Sequence, residues 1–433
     1  MLYDIALGCR TLRSILLFCA VVLQCKHVKK GAHMANIIDY VSNTTASFGE
    51  EPLNRVDSLV FSWLAYTRIP EEIPAACTAE GENLATFCGQ ENLLGLVAPV
   101  YDPRSTEALL RAVAASPRFK DVRACRSVDT WSREGEVQFS ATAFELPEGA
   151  GVYVAFRGTD DSLVGWKENF NMAFTVVPAQ KTATEYVEDI AAAYPNAPLW
   201  IGGHSKGGNL AMYAMHTIKE STRSKVLKCF DHDAPGFLEH ASAAEGWVDE
   251  TDEDRIDKTV PEESIIGLLF DSNTHGITVV RSTQPGILQH APFTWVVEDK
   301  DFATASAVTY DAYRTNKRLN AWLKTMNAEQ REKFIEVLYK LANATGEVTL
   351  SGISSTLKDG SLDLALRRLD GLPEADRLFF MEAVDDLVAT LLLGPAPTKP
   401  ETPTEKAEAA KDKVDDITAH FEDRLSKLDK YGF

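Results

Sequence analysis

The chain has 433 residues, of which 45% are hydrophobic and 25% are charged, and its formal net charge is −19. This composition is typical of a globular protein with a large core, which excludes a collagen-like, low-complexity or wholly disordered chain. The acidic balance argues against a nucleic-acid-binding protein, because such proteins usually present a basic face.

The first 33 residues differ in character from the rest of the chain. Residues 15–23 form an apolar run preceded by Arg10 and Arg13. The run is shorter than the roughly 20 residues of a membrane span, but it matches the hydrophobic part of a signal peptide. We favour a working start at Met34, which predicts a cytoplasmic protein. The alternative is export or membrane anchoring through residues 10–25.

The central part of the chain alternates between strand and helix patterns. Apolar spacing predicts helices over 56–66 and 105–117, then strands over 137–146, 152–156, 198–203, 226–230, 277–282 and 293–298, with helices over 179–193 and 206–219 among them. Such alternation predicts an α/β fold with a mostly parallel sheet covered on both faces. We expect the acidic run over 239–263 to be a solvated surface loop.

The strands stop near residue 304, so we place the α/β domain at 34–303. Leu and Phe stripes predict a helical appendage over 304–393, with helices at 311–343, 362–369 and 374–393. A Pro/Thr-rich linker follows at 394–405, and residues 406–433 have the spacing of an amphipathic helix that docks on the body or on an unknown partner. The seven cysteines are odd in number and lack a CxxC pair, which favours free thiols.

The strongest chemical signal is the run Gly203-His204-Ser205-Lys206-Gly207, which stands between a predicted strand and a predicted helix. In such a turn the serine adopts a strained backbone conformation that exposes its hydroxyl above the sheet. The chain passes close to its neighbours on either side, which favours glycine at 203 and 207. The pattern predicts that Ser205 is a nucleophile.

A serine nucleophile needs a base, and the chain has nine histidines. Five of them are set aside because they lie in the leader, in the serine turn, in the following helix or in the tail. The remaining candidates are His232, His240, His275 and His290. Because α/β-hydrolases follow the order serine, acid, histidine, we predict His290 as the base.

The acid should follow a strand at the carboxyl edge of the sheet. Asp233 has this position, followed by a Pro-Gly turn, and is our first choice. Three other carboxylates stay open as the acid: Asp231, Asp257 and Asp271.

An acyl-transfer site also needs donors for the oxyanion. The backbone N–H of Lys206 and the loop residue Thr159 are the candidates, while Arg157 is expected in a structural ion pair.

Two of these motifs, Phe156-Arg157-Gly158-Thr159 and the run 203–207, resemble the oxyanion loop and nucleophile turn of the class 3 lipases. Blocks at 36–40, 52–57, 166–170, 233–237, 261–267 and 289–290 are similar to an uncharacterised bacterial branch of lipase-like proteins, and the similarity spans about residues 34–350. The resemblance implies an α/β-hydrolase fold, with Ser205 as nucleophile, His290 as base, Thr159 as an oxyanion residue, and no metal or other cofactor.

The chain departs from that pattern at one point. Class 3 lipases carry an aspartate just before Val-Pro, whereas Lys258 and Thr259 precede Val260-Pro261 here. The acid is therefore expected at Asp233 or a neighbour. The function that follows is hydrolysis of an ester of a lipid or other acyl compound, with thioester and peptide bonds left open. The small-molecule substrate is the expected partner, together with weak contact with a membrane surface. The alternative is a non-catalytic binding or scaffold protein that retains the fold.

Overall fold

The structure is a computed structural model of the whole chain. It describes residues 34–69, 73–91, 93–97, 102–132, 137–159, 172, 176–237, 247–248, 253–270, 276–343 and 373–393. The predicted leader at 1–33, the helix at 362–369, the linker and the C-terminal helix lie outside these residues.

The described helices and strands run as follows. The helices are α1 (Ile37–Asn43), α2 (Arg55–Leu64), α3 (Leu84–Cys88), α4 (Leu94–Val97), α5 (Pro103–Ala115), α6 (Pro178–Ala193), α7 (Lys206–Thr217), α8 (Glu220–Arg223), α9 (Tyr310–Thr325), α10 (Ala328–Asn343) and α11 (Glu374–Leu393). The strands are β1 (Glu82–Asn83), β2 (Arg123–Ser132), β3 (Val137–Leu146), β4 (Gly151–Phe156), β5 (Leu199–His204), β6 (Val226–His232), β7 (Ile256–Pro261), β8 (Ile277–Val280), β9 (Val297–Glu298) and β10 (Asp301–Phe302).

Eight strands form one sheet in the order β1 to β8, so each strand lies beside its neighbour in the sequence. The pairings from β1 to β4 are antiparallel, and those from β4 to β8 are parallel. Right-handed crossovers that always advance in one direction place their helices on a single face. The helices α6 and α7 accordingly pack together on one face of the sheet, around a core that includes Val187, Leu210 and Ile201.

The opposite face is covered by the N-terminal helices rather than by crossovers. Side chains of β4 alternate between the two cores: Val152 and Val154 face α6 and α7, while Tyr153 and Ala155 belong to the core formed with α1, α2 and α5. Every residue of β4 is buried. A strand covered on both faces needs apolar residues at all positions, which explains its continuous apolar run. The predicted α/β fold is confirmed.

The helical appendage packs as a small core of its own. Trp322 of α9 meets Phe334 of α10 edge-on, and Phe334 stacks on Phe380 of α11 at 5.1 Å between ring centroids. The single helix predicted over 311–343 is two helices in the structure, and Met326 and Asn327 separate them.

Two predictions about strands were wrong. Residues 293–298 do not form a strand of the main sheet: Pro292–Thr294 is a 3-10 turn, Trp295 makes an isolated antiparallel bridge with Ser282, and Val297–Glu298 pairs with β10 in a separate hairpin. Pro292 lacks a backbone donor, and the Trp295 side chain is fully buried in the N-terminal core.

The second error concerns the acidic run. Part of the segment expected as a solvated loop is the inner strand β7, which pairs with β6 and β8. Its charged residues Asp257 and Lys258 are buried, and each has an ion-pair partner, Arg55 and Asp231 respectively. Buried charges persist in this way because their partners offset the loss of solvation. The sequence patterns also failed to predict strand β2.

Two further expectations can be compared with the described residues. Within the described ranges, Cys77, Cys88, Cys125 and Cys229 are free thiols, as predicted. No helix in these ranges has both the length and the apolar character needed to cross a membrane.

Candidate active site

Ser205 occupies a sharp turn between β5 and α7. Its backbone angles are φ 59° and ψ −129°, a strained conformation for a residue with a side chain. The Ser205 N–H donates to the carbonyl oxygen of His232 at 3.0 Å, which ties the turn to the end of the adjacent strand β6. This is the strand, turn and helix arrangement that presents a nucleophilic serine.

The glycines beside Ser205 are required by close approach of the backbone. A Cβ atom at Gly203 would lie 2.2 Å from the carbonyl carbon of Gly207. A Cβ atom at Gly207 would lie 2.1 Å from the carbonyl oxygen of Phe156. Both neighbours are main-chain atoms that cannot rotate away, so the two positions accept only glycine.

Asp233 lies just after β6 and is buried. Its Oδ2 accepts a hydrogen bond from His290 Nδ1 at 2.6 Å. Its Oδ1 accepts from Ser264 Oγ at 2.5 Å and from the Gly267 N–H at 3.1 Å. One carboxylate oxygen is thus held by two neutral donors, and the other is directed at the imidazole.

His290 ends the 3-10 turn Gly286–His290, and its side chain is 26% exposed. Because a carboxylate oxygen faces Nδ1, we assign the ring proton to Nδ1, which leaves Nε2 as a proton acceptor. Among the described residues, no hydrogen bond joins this ring to Ser205 Oγ. Such contacts are often long in unliganded enzymes and shorten when substrate binds.

His204 contacts His290 directly, which the sequence did not predict. Its Nε2 donates to the carbonyl oxygen of His290 at 2.8 Å, and the two rings lie 4.6 Å apart between centroids. The Tyr66 hydroxyl lies 3.1 Å from His204 Nδ1. Burial, followed by the nearby His290, holds the pKa of His204 well below its usual value, so the ring is neutral.

The predicted oxyanion residues lie at the ends of β4 and β5. The Lys206 side chain is buried and its Nζ donates to the Gln138 carbonyl oxygen at 2.8 Å, so its backbone N–H remains the group relevant to an oxyanion. Thr159 Oγ1 is buried, and it has no hydrogen-bond partner among the described residues. A buried hydroxyl without a partner is uncommon in folded proteins.

Arg157, between these elements, has the structural role expected of it. Its two terminal nitrogens donate to both carboxylate oxygens of Asp129, at 2.7 and 3.0 Å. This bidentate pair fixes the loop that carries Thr159 against strand β2.

The other candidate acids are engaged elsewhere. Asp231 lies 3.2 Å from Lys258 Nζ and accepts the Ala234 N–H at 2.8 Å. Asp257 pairs with Arg55 at 3.2 Å. Asp271 lies outside the described residues. The imidazole of His290 is therefore joined to Asp233 and to neither Asp231 nor Asp257.

Of the other candidate bases, His232 is fully buried. Its Nε2 lies 2.8 Å from Ser58 Oγ beneath the sheet, and burial lowers its pKa to about 3. His240 and His275 lie outside the described residues.

A cleft of about 480 Å³ lies between α1 and the β9–β10 hairpin. It is lined by none of the residues of the serine turn and by neither Asp233 nor His290.

The fold and this turn define the class of the protein: an α/β fold of lipase-like type, with a serine at the strand-to-helix turn. The sequence model of the Mbeg1-like family matches residues 113–340, just over half of the chain, and the protein belongs to that family. The family is lipase-like and contains the class 3 lipase domain, in agreement with the resemblance of the motifs. No curated protein matches the chain.

Proposed function

We propose that the protein is a serine hydrolase that cleaves an ester of a lipid or other acyl compound. The observation that carries this proposal is the 2.6 Å contact between His290 Nδ1 and the Asp233 carboxylate. The main-chain carbonyl oxygen of His290 also accepts a hydrogen bond from His204, the residue before Ser205. The strained turn at Ser205 supports the same assignment. Nucleophile, base and acid follow the chain order 205, 233 and 290, which is that of α/β-hydrolases.

In the proposed reaction, Ser205 Oγ attacks the carbonyl carbon while His290 Nε2 takes its proton. Asp233 holds the imidazole in the required tautomer and stabilises its charged form. The Lys206 N–H and Thr159 donate hydrogen bonds to the oxyanion. The tetrahedral intermediate collapses as His290 returns the proton to the leaving alcohol, and water activated by the same histidine releases the acid from the acyl-enzyme.

Labelling with a fluorophosphonate tests this proposal, because the reagent phosphonylates only an activated serine. The wild-type chain should be labelled at Ser205, and labelling should be lost in Ser205→Ala. Ser221→Ala is a matched control, since Ser221 is an exposed serine of α8, and it should be labelled like the wild type.

A non-catalytic scaffold is the second candidate. It is favoured by two observations: no hydrogen bond joins Ser205 Oγ to His290 among the described residues, and Lys258 and Thr259 stand before Val260-Pro261, where class 3 lipases carry the acid. A folded wild type that no fluorophosphonate labels would support the scaffold and contradict the hydrolase.

The bond that is cleaved requires a separate experiment, because the same triad serves esters, thioesters and amides. We expect acyl esters to be turned over faster than matched amides, and a series of chain lengths to define the acyl preference.

A further inference from the structure

The appendage helix α9 is bonded at three points to the segment 262–270, here called the bridging loop. The Thr309 N–H donates to the Glu262 carbonyl oxygen at 2.7 Å. Asn316 Nδ2 donates to the Ser264 carbonyl oxygen at 2.8 Å. Further along, the side chain of Asn320 bonds both the Phe270 N–H and the Leu268 carbonyl oxygen, each at 3.0 Å. Residues spaced seven and four apart share one face of a helix, so a single face of α9 follows the loop.

The bridging loop in turn contacts both the acid and the turn that carries the base. Ser264 Oγ and the Gly267 N–H are the two donors to Asp233 Oδ1. The Glu263 N–H donates to Gln289 Oε1 at 2.8 Å, and the Gly286 N–H donates to Glu263 Oε2. Gln289 and Gly286 belong to the 3-10 turn that ends at His290.

Gly267 shows how closely the loop approaches the carboxylate. A Cβ atom at this position would lie 2.2 Å from Asp233 Oδ1, so the contact depends on glycine at 267. Asp233 itself has φ 54°, a strained conformation that surrounding bonds must maintain. The bridging loop supplies those bonds from one side, and α9 bonds the loop at Ser264, Leu268 and Phe270.

We propose that the appendage helix α9 positions the acid of the active site, acting through Asn316 and the bridging loop on Ser264 and Asp233. The inference rests on the proposed function, and it makes helix α9 a positioning element of the active site. Asn316, Asn320 and Ser264 are positioning residues, since none of them touches the reacting atoms.

The chemistry of Asn316 argues against simple docking of the helix. Its side chain is buried, its amide nitrogen serves Ser264 and Ala312, and its Oδ1 has no hydrogen-bond partner among the described residues. A buried polar oxygen without a partner costs stability, so leucine would pack at this position with less penalty. The bond to Ser264 is what asparagine provides and leucine cannot.

The test compares full-length Asn316→Leu and Ser264→Ala with the double variant. We expect each single variant to be labelled by fluorophosphonate about tenfold more slowly, and the double variant no more slowly than the slower single, because residues acting in one chain of contacts are not additive. Ser264→Thr keeps the hydroxyl and should restore most of the rate. Lys333→Met removes the 2.8 Å ion pair with Asp376 inside the appendage and should leave the rate unchanged.

A second readout does not depend on catalysis. The His290 Nδ1 proton, hydrogen-bonded to Asp233, should give a low-field proton resonance in the wild type. We expect that resonance to shift or broaden in Asn316→Leu and in Ser264→Ala, and to stay unchanged in Lys333→Met. If Asn316→Leu does not fold, Asn320→Leu breaks the adjacent bonds of α9 to the same loop and should give the same two results.

The inference would be overturned if a folded Asn316→Leu or Asn320→Leu variant kept both the labelling rate and the resonance of the wild type. Fully additive losses of labelling rate in the double variant would also overturn it. Failure of the proposed function gives a different result: the wild type is not labelled at all, while the resonance still reports whether α9 positions Asp233.

Discussion

At the scale of single residues, the adjacent residues His204 and Ser205 have different structural roles. Ser205 takes the strained turn, whereas His204 is the last residue of β5 and keeps its ring beside that of His290. A carbonyl oxygen can only accept, so the bond to His290 fixes the His204 proton on Nε2 and leaves Nδ1 as an acceptor. The Tyr66 hydroxyl lies 3.1 Å from Nδ1 and donates to the His204 carbonyl oxygen at 3.2 Å. The main chain of His290 is thus held by His204 and its ring by Asp233.

This arrangement predicts the effect of His204→Phe, which keeps an aromatic ring and removes the donor. We expect a loss of about 1–3 kcal/mol in the free energy of unfolding, because the His290 carbonyl oxygen loses its donor. Fluorophosphonate labelling should slow about tenfold, because the proposed base His290 loses one of the two hydrogen bonds that position it. Urea unfolding and labelling rates measure the two effects.

Tyr66→Phe is the matched control for that experiment. It removes a hydroxyl that bonds His204 and not His290, so its effect on labelling should be smaller than that of His204→Phe. Equal rates in wild type and His204→Phe would show that the turn at His290 needs no support from β5.

The choice among the aspartates also belongs to this scale, and the sequence left it open. Asp231 and Lys258 are register partners on β6 and β7, and the charge of Asp231 is engaged there. Asp257 is engaged by Arg55, which is distant in sequence. Whether a carboxylate is available depends on cations that only folding brings near it. The position of Asp233 at the end of a strand therefore ranked it first without excluding the others.

At the scale of elements, the strand–turn–helix unit from β5 to α7 depends on backbone approach more than on side-chain packing. Gly207→Ala should therefore cost about 3 kcal/mol or more in the free energy of unfolding, since its methyl group would overlap the Phe156 carbonyl oxygen on β4. Thermal or urea unfolding of the purified variant measures the loss.

Gly95→Ala provides the control for this substitution. Gly95 is an exposed residue of α4, and a Cβ atom there meets nothing within 4 Å. The same chemical change should be neutral or stabilise the fold by about 0.5 kcal/mol, because alanine restricts the unfolded chain. Similar losses in the two variants would contradict the argument from close approach.

At the scale of the whole molecule, stability should depend on pH through histidines that are buried in the neutral form. His232 is fully buried between α2 and the sheet, and burial, with a smaller contribution from Arg55, lowers its pKa to about 3. In the unfolded chain a histidine titrates near pH 6.5. Between these two values the unfolded state binds a proton that the folded state excludes.

Stability should consequently fall as the pH is lowered from about 6.5 towards 3, by up to about 1.4 kcal/mol per pH unit for this one group. The stability is fully present above pH 6.5. His204 contributes in the same direction, since burial also lowers its pKa. Urea unfolding of wild type and His232→Gln over this range measures the difference, and the variant should show the weaker dependence. Parallel curves would contradict a neutral buried His232.

The sequence by itself determined the α/β class, because the continuous apolar run of β4 and the alternation of strands and helices are local patterns with direct physical causes. It also determined the serine turn, since glycine at 203 and 207 is a local requirement of the backbone. Strand β7 escaped recognition because its buried charges mimic a surface loop, and they are tolerated only through partners elsewhere in the fold.

Tertiary structure alone decided the surroundings of the site. The contact of His204 with His290, the three donors to Asp233 and the docking of α9 on residues 262–270 join segments far apart in the chain. No periodicity or spacing records such contacts, because their geometry arises only when the sheet aligns the ends of its strands at one edge and the appendage packs against them.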